Sequence, residues 1–291
     1  MSENALVADS RAVLARHARS FRLASIFLPA RTRDDAAVVY AFCRMVDDIA
    51  DEGDDPAAAR VELLALMAEL RGEAEARPLV ALLRQTAARL GMELRAAEEL
   101  VEGALSDLEP VRIADEAALE RYCYLVAGTV GVLMCGVLGV TDPVARSHAV
   151  ALGVGMQITN ICRDVVEDAA RGRVYLPATA LYAGGLSPEQ ILNRTADGAR
   201  LSRVVRALLG LADERYGHAF AGMVYIPVRT RAAILVAAHL YRGIGLRLLR
   251  IHQGDPLHGR TIMSTVERAR AVLAGLVDWA RLGLSGSLSL R

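Results

Sequence analysis

The sequence predicts an all-α protein. No segment shows the period-2 alternation of a half-buried strand, and helical spacing of apolar residues recurs along the whole chain. Alanine, leucine and arginine, all good helix formers, are abundant. Proline at the first helical position marks four helix starts, "DDPAAARVELLALMAELR", "TDPVARSHAVALG", "LSPEQILN" and "YIPVRTRAAILVAAHLYRGIG".

Taken in order, the N-terminal "MSENALVADSRAVLARHARS" is polar and charged and lacks the apolar stretch of a signal peptide. An apolar helical segment then runs into "AFCRMVDDIADEGD" and breaks near Gly53–Asp55. Later breaks fall near Glu109–Arg112, Thr141–Pro143, Gly172–Pro177, Gly184–Ser187 and Gly254–Gly259. Ser187 and Gln190 have the spacing of a capping box. The pattern predicts roughly eight to ten helices with short connections. No low-complexity linker divides them, so residues 1–291 are expected to form one domain. The first ~13 residues and the last ~15, ending in "GLSGSLSLR", are expected to be loosely ordered.

Charge narrows the function classes. The 34 positive and 34 negative groups cancel, so nothing draws the chain to nucleic acid, and none is expected as a partner. Every cation is arginine. The absence of lysine excludes a Schiff-base lysine and a Walker-type phosphate loop, while guanidinium suits a fork-like grip on phosphate. Four cysteines without a CxxC motif fit buried, reduced thiols in a cytosolic protein. Six scattered histidines form no zinc pattern.

Two uncharged runs, Tyr122 to Thr141 and Ser147 to Cys162, raise the question of a membrane span. The second ends directly in "RDVVED". Carboxylates continuing the same helix point to a buried core helix whose far end reaches a polar cavity.

Two acidic stretches nearly repeat: "AFCRMVDDIADEGD" and "TNICRDVVEDAARGRVYLP". Asp47 and Asp51, like Asp164 and Asp168, stand four residues apart, on one helix face. Like charges so placed repel unless something positive bridges them. Arg44 and Arg163 can supply part of that charge, and Mg²⁺ supplies it better, taking one or two carboxylates together with substrate phosphates. Gln157 and Asn160, on the same side as the second pair, can complete a metal or diphosphate shell. Two such sets across a cavity would receive a diphosphate, with arginines on its remaining oxygens.

With these motifs the chain resembles the squalene/phytoene synthase family, the head-to-head branch of the trans-isoprenyl diphosphate synthases, over roughly residues 14–265. "HARSFRLASIFLP" is similar to its N-terminal segment, "YAFCRMVDDIAD" to its first aspartate-rich motif and "YCYLVAGTVG" to its central substrate-lining helix. "MQITNICRDVVEDAARGRVYLP" is similar to the second aspartate-rich motif and is the most specific of these signals. The resemblance implies a single-domain isoprenoid synthase fold, helices surrounding a central apolar cavity. It implies that Asp47, Asp51, Asn160, Asp164 and Asp168 hold Mg²⁺ (or Mn²⁺) and diphosphate, with Arg44 and Arg163 on phosphate. His17, Arg19, Ser20 and Phe21 fall on the segment that touches the other diphosphate. Tyr40, Tyr122 and Tyr175 match tyrosines facing the reacting centre, and Gln157 matches a cavity amide. Val126 and Gly131 match the prenyl-lining helix, where small residues such as Ala127, Gly128 and Gly153 leave room for substrate or for close helix packing. "GDPLHGRTIMS" is loosely similar to an arginine-bearing segment, with Arg260 as the match.

The implied reaction joins two prenyl diphosphates through a cyclopropylcarbinyl diphosphate. Two geranylgeranyl diphosphates would give phytoene; farnesyl diphosphate would give dehydrosqualene, presqualene diphosphate or, with NADPH, squalene. A non-catalytic scaffold of the same ancestry would have lost an aspartate pair, and both pairs are intact. A product this apolar implies a cytoplasmic enzyme in peripheral contact with the inner face of the membrane.

Overall fold

Helices form wherever the sequence supplies caps and apolar stripes. The computed structural model of the 291-residue chain describes residues 2–17, 19–51 and 55–288, and the side chains of His17, Arg19 and residues 284–288 also lie outside the described set. The helices are α1 (Glu3–His17), α2 (Arg19–Ser25), α3 (Ala30–Asp51), α4 (Pro56–Arg71), α5 (Pro78–Leu90), α6 (Arg95–Ser106), α7 (Glu116–Cys123) and α8 (Thr129–Leu138). They continue as α9 (Ala145–Arg163), α10 (Val165–Ala170), α11 (Ala178–Ala183), α12 (Pro188–Leu192), α13 (Gly198–Ala221), α14 (Val228–His252) and α15 (Thr265–Leu288). The described residues contain no strand, only one isolated bridge between Arg112 and Val174.

Several starts follow their signals. Asp55 caps α4 by accepting from the Ala57 N–H at 2.9 Å, with Pro56 in the first turn, and Gly72 closes the helix at φ +78°. The capping box of Ser187 and Gln190 is present at α12. Two proline starts lie slightly upstream of their helices: Pro143 precedes α9 by two residues, and Pro227 is the cap of α14.

The helices exceed the predicted number because neither proline nor glycine announces some of the breaks. Between α7 and α8 the chain makes a π-helical turn, Tyr124–Gly128, rather than a stop. The N-terminal residues expected to be loose form α1, packed on α3 and tied by Arg11 to Asp34, and α15 runs helical to Leu288.

The core is built of two adjoining apolar clusters. One gathers α9, α13 and α14 around Ile158, Leu201, Tyr216 and Leu240; the other gathers α3 to α6 and α8 around Phe42, Leu63, Leu66 and Leu83. Val150 of α9 packs against both. The two aspartate motifs come from opposite sides of this junction, α3 and the α9–α10 corner. Two helical stretches, Glu116–Leu138 and Val228–His252, are long and apolar enough to cross a membrane by length and composition. Their most apolar windows are 44% and 50% buried inside the fold. The other uncharged run, Ser147 to Cys162, lies in α9, packed between α8, α13 and α14.

Glycine sets the spacing at the junction. A Cβ on Gly153 would stand 2.2 Å from the Ala127 carbonyl oxygen, and one on Gly131 would stand 2.3 Å from that of Ala149. Both glycines therefore serve the close approach of α9 to the π turn and α8. Of the two readings of these small residues, room for substrate or close helix packing, the contacts at Gly131 and Gly153 are those of packing. Replacing Gly153 by Val is expected to lower stability by about 2–3 kcal/mol through overpacking. Gly217→Ala, in open space within α13, is expected to raise it by roughly 0.5–1 kcal/mol. Denaturant midpoints of the two variants check both signs.

Candidate active site

On α3, Tyr40, Cys43, Asp47 and Asp51 share a face, as their spacing predicts. Cys43 and Asp47 both reach solvent, yet burial is the largest influence on the ionisation of each. Burial, and then the neighbouring Asp51, push the Asp47 carboxyl up to about 7.

The second motif stands on a corner, not on the uninterrupted helix that its spacing predicts. α9 ends at Arg163, Asp164 leaves the helical region at φ −101° and ψ 18°, and α10 begins at Val165. The Asp168 N–H still donates to the Asp164 carbonyl at 2.8 Å, so the helical register survives the break. Burial, followed by Asp164, pushes the Asp168 carboxyl up to about 7.

Arginines hold the two motifs together. Arg173 donates from Nη1 to Asp51 at 2.6 Å and Arg171 donates to the other Asp51 oxygen at 3.0 Å, both reaching from the turn that follows the second motif. The turn after the second motif is therefore tied to the first motif through these two arginines. Asp164 is gripped by Arg163 through both carboxylate oxygens and by Arg260 Nε at 3.0 Å. Arg44 pairs with Asp48 while its charge also acts on Asp47, and Arg44 and Asp48 line a groove of about 670 Å³ between α3, α4 and the ends of α1 and α5. Arg171 and Arg173, which sequence reasoning missed, carry the bridging charge at Asp51.

The donor set suits a hard divalent cation. Asn160 Oδ1 is buried without a hydrogen-bond partner, while its amide nitrogen donates to Gln157 Oε1 at 3.4 Å. An orphaned buried acceptor beside carboxylates is poised for a cation. Among the described residues no three His, Cys, Asp or Glu side chains converge into a complete cage. Mg²⁺ does not require one, since it keeps waters and shares phosphate oxygens.

Two aromatic groups adjoin the carboxylates. Phe21 lies 5.1 Å from Tyr241 and 6.2 Å from Tyr40, ring centre to ring centre. Burial pushes the Tyr241 hydroxyl up to about 12, and the charges of Arg163, Asp164 and Arg260 all act on it. Tyr122 and Tyr175 stack at 4.8 Å, and both donate to Asp107. Tyr124, two residues on, instead bonds Glu99. Val126 lies against Gly103 of α6, packing where the resemblance implied substrate lining. Ser20 sits half-buried on α2, which packs on α1 and α14. The His17 and Arg19 side chains fall outside the described residues.

The family model for squalene/phytoene synthase matches residues 14–268. The chain belongs to the squalene/phytoene synthase family. It is 40% identical to the phytoene synthase of Thermus thermophilus, with 88% of each chain covered. It is 35% identical to the 15-cis-phytoene synthase of a Paracoccus species, over 97% of this chain and 94% of that one. A dehydrosqualene synthase solved with a bound ligand superposes with a TM-score of 0.85 at 26% identity, covering 94% of this chain and 96% of its own. The family's members are prenyltransferases, and this chain is an enzyme of that kind.

Within this synthase the paired acids give a signed pH dependence. Between the ordinary aspartate value of 3.8 and about 7, Asp47 and Asp168 hold protons in the folded state that the unfolded chain has released. Stability from these groups is therefore complete at low pH and is lost as pH rises through about 7. With divalent cations chelated, the thermal midpoint is expected to fall between about pH 5 and about pH 8, and Asp47→Asn to flatten that slope. An unchanged slope in the variant would assign the effect to other groups.

Proposed function

We propose that this synthase condenses two geranylgeranyl diphosphates head to head, giving phytoene through a cyclopropylcarbinyl diphosphate. The observation that carries the reading is the bridge from the turn after the second aspartate motif to Asp51 of the first, made by Arg171 and Arg173. The names of the relatives, phytoene synthase and 15-cis-phytoene synthase, support the choice of substrate and product.

Asp47, Asp51, Asn160, Asp164 and Asp168 would hold Mg²⁺, or Mn²⁺ in its place. When bound, the metal neutralises the charge that develops on the departing diphosphate. Arg163 and Arg260, already on Asp164, stand where they can exchange that carboxylate for phosphate oxygens, and Arg44 is proposed to do the same beside Asp48. Ser20, with His17 and Arg19, is assigned to the second diphosphate. Phe21, Tyr40, Tyr122 and Tyr175 surround the allylic cation and exclude water, so that a double bond attacks it first. Loss of a proton from the final cation ends the reaction at phytoene, a step that requires no NADPH.

A second reading, condensation of farnesyl diphosphate, draws support from the close superposition on a dehydrosqualene synthase. NADPH would enter only if squalene were the product. We place the enzyme in the cytoplasm, peripherally at the inner face of the membrane, because its product is insoluble in water.

The purified enzyme with Mg²⁺ is expected to turn geranylgeranyl diphosphate into a C40 hydrocarbon without NADPH, identified by mass, in preference to any product from farnesyl diphosphate. Asp47→Ala and Asp164→Ala are each expected to lower turnover at least about a hundredfold with the helical circular dichroism retained. Wild-type turnover in either variant refutes the assignment of the metal site.

A further inference from the structure

One acidic group in this neighbourhood belongs to neither aspartate motif. Asp107 caps the end of α6, and its carboxylate accepts a hydrogen bond from the Tyr122 hydroxyl at 2.9 Å and from the Tyr175 hydroxyl at 3.0 Å, one on each oxygen. The two phenols are buried and stacked. From the far side Arg173 donates Nη2 to the Asp107 carbonyl at 3.3 Å while its Nη1 holds Asp51. Asp168 acts electrostatically on Tyr175, and Asp51 on Asp107. The phenol pair is thereby linked to both motifs.

A phenol has one proton to give. Committed to Asp107, it leaves the oxygen only lone pairs for anything else. An ionised carboxylate accepts and never donates, so neither phenol can turn its proton elsewhere without stranding a buried acceptor. Two phenol oxygens fixed in this sense present the negative ends of their dipoles to their surroundings, the polarity that favours a cation.

We propose that Asp107 is a positioning residue for the condensation, locking the Tyr122 and Tyr175 hydroxyls with their protons turned away from substrate so that their oxygens meet the allylic cation with lone pairs. This rests on the prenyl-condensing reading above. Neither phenol proton is then available to quench a carbon intermediate. Asp107 itself touches no substrate atom.

The test is Asp107→Asn, nearly the same shape. Its amide keeps one acceptor and adds a donor, so one phenol must reverse and turn its O–H outward. Turnover is expected to fall at least about tenfold, with KM for geranylgeranyl diphosphate and calorimetric affinity for pyrophosphate with Mg²⁺ held within about twofold. A merely structural anchor would instead lose thermal stability and pyrophosphate affinity together. In a Tyr122→Phe/Tyr175→Phe background, Asp107 has nothing left to orient, and adding Asp107→Asn is expected to change turnover by less than about twofold. Additive losses in that cycle, or a wild-type rate in Asp107→Asn alone, overturn the proposal. Should Asp107→Asn not fold, the single variants Tyr122→Phe and Tyr175→Phe carry the test. Each is expected to lose at least about tenfold in turnover with pyrophosphate affinity kept, and unchanged turnover in both overturns the proposal. A wild-type enzyme that forms no hydrocarbon refutes the condensing reading itself, a different result from a condensing enzyme indifferent to Asp107.

Discussion

Concentrated negative charge on the two aspartate motifs and Asp107 is the constraint to which the rest of the site responds. Burial first, and neighbouring carboxylates after it, favour the protonated forms of Asp47, Asp168 and Asp107. Without compensation such a cluster would hold protons or force the helices apart. Guanidinium supplies the compensation: Arg171 and Arg173 at Asp51, Arg163 and Arg260 at Asp164. The choice of cation matters. Arginine stays charged when half-buried and grips both carboxylate oxygens, whereas buried lysine readily loses its proton. The absence of lysine from the chain is therefore consonant with the chemistry of its most demanding site.

The same arginines join distant parts of the fold. Arg173 touches the Asp51 carboxylate and the carbonyls of Ala50 and Asp107, so one side chain ties α3, the end of α6 and the turn after α10. Gly172, at φ +76°, is what lets the chain reverse just before it. Behind this charged rim, α9 lies close against the π turn and α8 through Gly131 and Gly153. A π turn is a common device at functional positions, since the extra residue rotates the side chains that follow. Here it separates Tyr122, turned to Asp107, from Thr129, whose hydroxyl caps the Leu125 carbonyl at 2.7 Å.

Much of this was legible in the residues. Spacing placed Asp47 and Asp51 on one face of a helix, and the rhyme between the two motifs required that they meet. Arg260, picked out by its segment, reaches Asp164. The corner at Asp164 was not legible, because no glycine or proline announces it. The pairing of Arg44 with Asp48 was not legible, since a helix wheel puts Arg44 between two faces and only packing decides. The role of Gly131 was ambiguous for a different reason: a small residue on an apolar helix looks the same whether it makes room or removes it. Arg173, Asp107 and Tyr241 were missed because each acts across long sequence separation. For Arg173 the signal was present in "ARGRVYLP", an arginine just past a glycine turn beside an acidic motif.

The missed residues share a character that bears on how the site works. In the proposed reaction the aspartate motifs gather the charged end of a substrate, and any divalent ion with it. What happens to a cation after the diphosphate leaves depends on groups that are neutral and oriented. Tyrosine hydroxyls are such groups, and their orientation is ambiguous unless something fixes the proton. Asp107 fixes two at once, and Arg173 holds Asp107 in register with the motif that receives the leaving group. On the proposed mechanism, departure of the diphosphate and protection of what remains are linked through one arginine, which bonds both Asp51 and the Asp107 carbonyl. A motif search finds the first of these functions and passes over the second, because orientation leaves no pattern of spacing in the chain.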